Sequence, residues 1–590
     1  MQYGCVRSLA VAFVLAPLLA SVPGVAAAAT VTNPICPTEF ALYNPDVGSD
    51  IVVPKGFKVS VFAKDLNFPT GIAFRGDPRN FEVYILESGH GLPGKCNEQG
   101  SFGSGTFDPN NPFTPDILVF NQAGALLRKL AKPTATDGFQ PAGPAVDIGF
   151  ERGLQGGRLF ATDSNQATHG GGQNNSSRIV TVDPTTGAVT PFITGLPTGD
   201  HPTEQLEFKA GWIYWSQGSM TNSGVVGLDN NGGANEPDIP CQNITLSQFV
   251  FISKLGPPVV ATSGYSLFGH QQPGATIPAF FNASTGVVRQ GVCDGAILRA
   301  KLNDPNTIEA FSWGYRNGYA IRFAPDNHPL SGGLLVGEDG SDERGARPSN
   351  NAPDALHLAK QNDDGTPDYH GWPDRFGFLP SSQAVFNPVG GPSDDLCQAP
   401  SSFPACIPTV LKFDVPIRDV LAFPPQPITS PLAIEAADSS FTGIDFVPKS
   451  FVRGPVEDGA VLYSLEGDFG FSRANASAAS PGTQQVAPVP EVGHEVKLVY
   501  FDAKGDKPLA LKIQRFAHNA TDEQAFPDGL SGFNRPTNVK FGPDGCAYVV
   551  DYGAVRDGGQ SDPASGVIVP GDGPLVQIPH TGVIWKICAQ

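Results

Sequence analysis

The sequence predicts an all-β chain folded as a six-bladed β-propeller with long inter-blade insertions. Three observations carry that expectation. A two-strand unit recurs six times, turn formers are abundant (69 Gly and 56 Pro in 590 residues), and helical periods are few. The first strands of the unit read FPTGIAF to Phe74, PAVDIGF to Phe150, HPTEQLEF to Phe208, RNGYAIRF to Phe323, FTGIDF to Phe446 and RPTNVKF to Phe541. The second strands read EVYILE, RLFATD, WIYWSQ, GLLVGE, VLYSLE and AYVVD. Repeats of short strands with a recurring turn mark radial β architectures, in which each unit buries its apolar faces against its neighbours.

A polar residue stands three positions after the central Tyr84, Phe160, Tyr214, Leu335, Tyr463 or Tyr548 of each second strand. These residues are Glu87, Asp163, Gln217, Glu338, Glu466 and Asp551. If the blades share one orientation, the six lie at one height as a ring around the central channel. The residues before the first strands then converge there too: Asp200 and His201, Arg316 and Asn317, Asn534 and Arg535. A polar residue that ends a strand is also a turn former, so each position admits both readings. The chain exceeds what six compact blades require, and the excess lies between blades, chiefly Gly218 to Ala310, Lys360 to Ile434 and Gly467 to Asn534.

The first 28 residues read as a secretory signal peptide: Arg7, an apolar run from Leu9 to Val22, then small Ala26 and Ala28. Residues 29–590 are expected to form one propeller domain, secreted and extracellular. Eight cysteines remain after Cys5 leaves with that segment, and an even number in an exported chain predicts four disulfides. Cys397 with Cys406 and Cys546 with Cys588 are the pairings that would close short loops. Six sequons, at Asn174, Asn175, Asn243, Asn282, Asn475 and Asn519, fit a glycoprotein. A formal charge of −19 argues against nucleic acid or an anionic membrane as partner.

Two clusters carry chemistry. Gly199-Asp200-His201 stands before a first strand and puts an imidazole at the channel mouth, where it is either a structural hydrogen-bonding group or a general base. In the stretch Trp313 to Gly318, Arg316 offers a planar fork for carboxylates or quinone oxygens, and Asn317 a donor and an acceptor. The loop Glu338 to Asp342 holds the hard oxygen ligands that calcium prefers, although without EF-hand spacing, and turn chemistry explains it as well.

GDH before a strand, WGYRNGYAIRFAP, LLVGEDGSD, YHGWP at Tyr369 to Pro373 and RPTNVKFGPDGCAYVVDYG resemble, in this order, the signatures of the soluble quinoprotein glucose and sorbosone dehydrogenases. The style is that of secreted fungal pyranose-oxidising members. The resemblance implies a six-bladed propeller that binds pyrroloquinoline quinone (PQQ) and calcium, oxidises a carbohydrate and passes electrons to an external acceptor. It implies that His201, with Asp200, is the base and that Arg316, Asn317 and Arg535 contact the cofactor. Gly340, Ser341 and Glu338 would be the calcium loop. The chain departs from the family pattern at Ser216, where an Asp orients the histidine, and after blade five, where a Lys is absent. It departs again at Asp339-Gly340-Ser341 and at Asp354-Ala355. Lys497, Arg515 and Arg473 are the cations that can make up the missing charge. Two other classes use the same residues: a calcium-dependent lactone or ester hydrolase, and a non-catalytic binding propeller. The pair Arg316 and Asn317, with Arg535, favours the first class, because a hydrolase needs no cofactor anchors.

Overall fold

The computed structural model describes residues 28–34, 40–89, 112–130, 138–140, 143–165, 175–226, 236–253, 260–342, 347, 349, 352–378, 385–386, 415–416, 418–467, 492–502, 509–526, 529–557 and 575–590. Six sheets of four or five strands form the propeller, each built on one two-strand repeat. The inner pair of each blade is an antiparallel hairpin: Pro69–Asp77 with Asn80–Glu87, Ile148–Phe150 with Leu159–Asp163 and Thr203–Lys209 with Trp212–Gln217, then Asn317–Phe323 with Leu334–Asp339, Phe441–Phe446 with Val461–Leu465 and Pro536–Phe541 with Ala547–Asp551. The N-terminal strand Phe57–Leu66 pairs with the C-terminal strand Gly582–Ala589 as the outer strand of blade six. A strand from before the first repeat and the last strand of the chain thus complete one sheet and close the ring.

The repeat has a packing cause. The second-strand aromatic of one blade meets the Phe that ends the first strand of the next: Tyr84 on Phe150 at 5.1 Å, Phe160 on Phe208 at 5.5 Å and Tyr214 on Phe323 at 4.7 Å. Tyr548 of blade six reaches Phe74 of blade one at 5.0 Å and repeats the contact across the closure. Each such pair contributes about 0.5–1.5 kcal/mol beyond its buried area. In blade four Leu335 replaces the aromatic and packs in one cluster with Phe446.

The sequence boundaries of the insertions shift. Ala296–Lys301 and Asp304–Trp313 are the third and fourth strands of blade three, and Glu495–Asp502 and Leu509–Asn519 are those of blade five. Their separation from the inner pairs by long loops hid them, because a blade is completed only after its insertion has been made. Asp368–Tyr369 returns to blade three as a fifth, parallel strand. Disulfides Cys241–Cys293 and Cys546–Cys588 are present, the second as expected; Cys397 and Cys406 lie outside the described residues, as does most of the proposed signal segment. Among the described residues no helix is long and apolar enough to cross a membrane.

One end of the channel is closed by charge. At the position before the terminal Phe of the first strands stand Glu207, Arg322, Asp445 and Lys540. Arg322 binds Glu207 at 2.6 Å and Asp445 at 2.8 Å, and Lys540 binds Asp147 at 3.1 Å. These pairs tie blades two to six across the axis. The first strands begin at the other end, which is where Asp200, His201, Arg316 and Arg535 stand.

Candidate functional site

The six polar residues at the second-strand ends do stand at the site end, because their strands pair with the starts of the first strands. They do not form the open ring that the repeat suggested. Glu87 accepts from the Asn67 amide at 2.6 Å, and Asp163 accepts from the Gln140 amide at 3.1 Å. Gln217 donates to the Pro197 carbonyl at 2.8 Å. Glu338 accepts the Arg316 N–H at 2.8 Å, and Asp551 the N–H groups of Asn534 and Arg535, both at 2.8 Å. Each clamps the loop that enters its own blade's first strand, as an Asx-type turn former does. Glu466 differs. Asp354 of blade four takes the corresponding amide, that of Ser440, at 2.6 Å, and the Glu466 carboxyl stands near Arg535, Asp339 and Asp551.

The clamped loops deliver the site. Asp200 Oδ2 lies 3.3 Å from His201 Nδ1, close enough for a charge contact but outside hydrogen-bond geometry; the His201 side chain keeps 15% exposure while the Asp200 carboxyl is buried. Asp200 is thus the carboxylate beside the imidazole, where Ser216 supplies none. Arg316, 4% exposed, sends Nη2 to Asp200 at 3.4 Å and to Asp342 at 2.5 Å, and Nη1 to the Gly340 carbonyl at 2.8 Å. Asn317 is buried beside them, and its Oδ1 has no hydrogen-bond partner among the described residues. Arg535, 1% exposed, donates to the Gly467 carbonyl at 2.9 Å. Gly218 is required here: a Cβ on it would stand 2.2 Å from His201 Cβ and 3.3 Å from Asn317 Oδ1.

Carboxyls line the cavity between the two guanidiniums. Burial raises Glu466 to about 7, against the pull of Arg535, and Asp339 to about 6, against that of Arg316. Glu204, 2% exposed on the first strand of blade three, is pushed well above the usual carboxylate range by burial and by Asp339 and Glu466. Tyr319 and Tyr552 complete the wall, and burial raises both phenols. Burial thus opposes ionisation of all three acids, and the two guanidiniums pull the other way on Asp339 and Glu466.

The two buried guanidiniums of Arg316 and Arg535 are the groups here that fit an anionic planar ligand, and the Asn317 amide oxygen can accept from a ligand N–H or O–H. Lys497 and Arg515 add nothing to it. They pair on blade five's outer strands, Lys497 with Glu435 at 2.6 Å and Arg515 with Asp522 at 2.5 Å, while Arg473 lies outside the described residues. The residues do not fit calcium as they stand. The Gly340 carbonyl is taken by Arg316, Ser341 Oγ donates to the Asn222 carbonyl at 2.9 Å, and Glu338 spends its second oxygen on His357 at 2.8 Å. Among the described residues no group of three His, Cys, Asp or Glu is placed to hold a metal.

Sequence reasoning missed Glu204, Gly218 and Tyr552, and also His357, which stands behind Glu338; it read Asp342 as a calcium ligand and not as a partner of Arg316. Glu204 lay in plain view three residues after His201. A β-bulge between Thr203 and Leu206 breaks the alternation that would have assigned its side.

No family model matches the chain, and no curated protein does. Among solved structures it is similar to the holo form of a pyranose dehydrogenase PQQ domain from Coprinopsis cinerea, at 13% identity and TM-score 0.45, covering 91% of this chain and 97% of that one. It is similar to a Trichoderma reesei member of Carbohydrate-Active Enzymes Family AA12, at 13% and 0.46, covering 93% and 99%. A putative glucose dehydrogenase from Thermus thermophilus gives 13% and 0.42, covering 90% and 100%. Values of this size carry no chemistry from one chain to another.

Proposed function

We propose that the protein is a secreted quinone-dependent oxidoreductase that oxidises a hydroxyl of a sugar. The single observation that carries this reading is the chain Arg316–Asp200–His201 at the open end of the channel, with Arg535 across the same acid-lined cavity. His201 Nε2 takes the proton of the hydroxyl. Asp200 stabilises the imidazolium that results, and the Arg316 guanidinium stands 3.4 Å from Asp200 on its other side. Arg316 and Arg535 hold the carboxylates or quinone oxygens of the cofactor, and Asn317 supplies an acceptor. PQQ, when bound, supplies the two-electron acceptor that the side chains lack. Glu204, Glu466 and Tyr319 offer hydroxyl-binding groups to a carbohydrate, and an external acceptor must reoxidise the cofactor. Calcium would have to share the Gly340 carbonyl with Arg316, whose Nη1 donates to it at 2.8 Å.

The hydrolase reading asks the ring carboxylates to hold calcium. Four of them instead accept loop amides, which weighs against it. The test is a spectroscopic titration with PQQ, with and without calcium, of wild type, Arg316→Ala and Arg535→Ala. Saturable binding, weakened about tenfold or more by each substitution and indifferent to calcium, supports the assignment. Absence of binding in wild type would remove it, and a strict calcium requirement would return Gly340 and Ser341 to the cofactor site.

A further inference from the structure

A line of buried polar groups runs outward from the site into the seam between blades three and four. Glu338 Oε1 holds the Arg316 N–H at 2.8 Å, and its Oε2 meets His357 Nε2 at 2.8 Å. His357 Nδ1 lies 3.1 Å from His370 Nδ1, and His370 Nε2 lies 3.0 Å from Asp368 Oδ2. Tyr315 stacks on His370 at 4.7 Å and meets His357 edge-on at 5.3 Å, which leaves both rings little room to turn. Both imidazoles are buried. The line continues inward through the main chain. The Arg316 carbonyl accepts the Ser219 N–H at 2.9 Å, and the Ser219 carbonyl accepts the His201 N–H at 3.0 Å. Arg316 therefore reaches the proposed base twice, through Ser219 and through Asp200.

We propose that His357 and His370 are positioning residues: they fix Glu338, hence Arg316, hence the distance between its guanidinium and the Asp200–His201 pair. The proposal rests on the reading of His201 as the base. The physical argument is one of alternatives. Glu338 has a single backbone amide to clamp, and without His357 its other oxygen would be left buried without that partner, so the carboxyl would turn to find another. Arg316 would then lose the fixed amide that aims its side chain.

The readout is the titration of His201 itself, followed by NMR of the full chain labelled at histidine, without cofactor, with His201→Gln assigning the signal. The charged groups that face this imidazole are Asp200 and, beyond it, Arg316. With Arg316 displaced, Asp200 acts on the imidazolium unopposed, and the His201 midpoint is expected to rise by about one pH unit in His357→Ala. It should return toward the wild-type value in His357→Gln, which restores a side-chain donor to Glu338. His370→Phe keeps the stack on Tyr315 and removes the Nδ1 contact, so it gives a smaller rise in the same direction and serves if His357→Ala does not fold. An unchanged His201 midpoint in the folded variants would overturn the proposal. Because the measurement needs no cofactor or sugar, its failure is distinct from failure of the oxidoreductase reading, which the PQQ titration tests separately.

Discussion

His201 works in this account only if its ring stands where Gly218 lets it stand. Gly218→Ala places a methyl group against His201 Cβ, a contact that real structures do not tolerate, so the imidazole must move. The expected outcome is a loss of sugar oxidation of 100-fold or so with the fold retained, checked by turnover alongside circular dichroism. Glu466 gives a second residue-scale prediction. Its carboxyl, raised from 4.5 to about 7 by burial, binds its proton more tightly in the folded than in the unfolded chain. Its contribution to stability is thus complete below the unfolded value and is lost as pH rises through about 7. Glu466→Gln should therefore raise the melting temperature more at pH 8 than at pH 5, by about a degree or two. The same ionisation should weaken binding of an anionic cofactor above pH 7 in wild type and not in the variant, as a pH series of titrations will show.

At the scale of elements, the inner hairpin of every blade was legible in the sequence, because the terminal Phe and the second-strand aromatic are the contacts that join neighbouring blades. The outer strands of blades three and five were not, since insertions separate them from their partners. The ring was read at the right height and with the wrong orientation. Short carboxylates next to unpaired loop amides satisfy those amides before they face water, and only Glu466, relieved by Asp354, is left to the cavity. The first strands add a feature that spacing does not reveal. A register shift opens the first strand of blades one, three, four, five and six, between Pro69 and Gly71, Thr203 and Leu206, Asn317 and Ala320, Phe441 and Gly443, and Pro536 and Asn538. Bulges of this kind re-aim side chains, and they explain why Glu204 escaped a period-two reading. His201, Asp200, Arg316, Asn317 and Arg535 were legible because each lies within three residues of a strand start. Glu338 was legible as a polar residue but not as a clamp.

For the whole molecule, the closed end of the channel is an electrostatic plug that ties the blades across the axis. Arg322→Ala leaves Glu207 and Asp445 facing each other without their cation, so the chain should lose about 3 kcal/mol or more of stability, measured as a lower denaturation midpoint. Substrate should still enter from the other end, so turnover of the folded fraction is expected to hold. Cofactor anchors, base and acid-lined cavity all belong to that open end, and the account stands or falls on their acting together. The most direct measurement is the absorbance of PQQ bound to the protein on mixing with a panel of neutral sugars, in wild type and in His201→Ala. The account predicts bleaching of the bound quinone by one class of sugar in wild type, and intact binding with bleaching slowed at least 100-fold in His201→Ala. Bleaching at an equal rate in both proteins would contradict it.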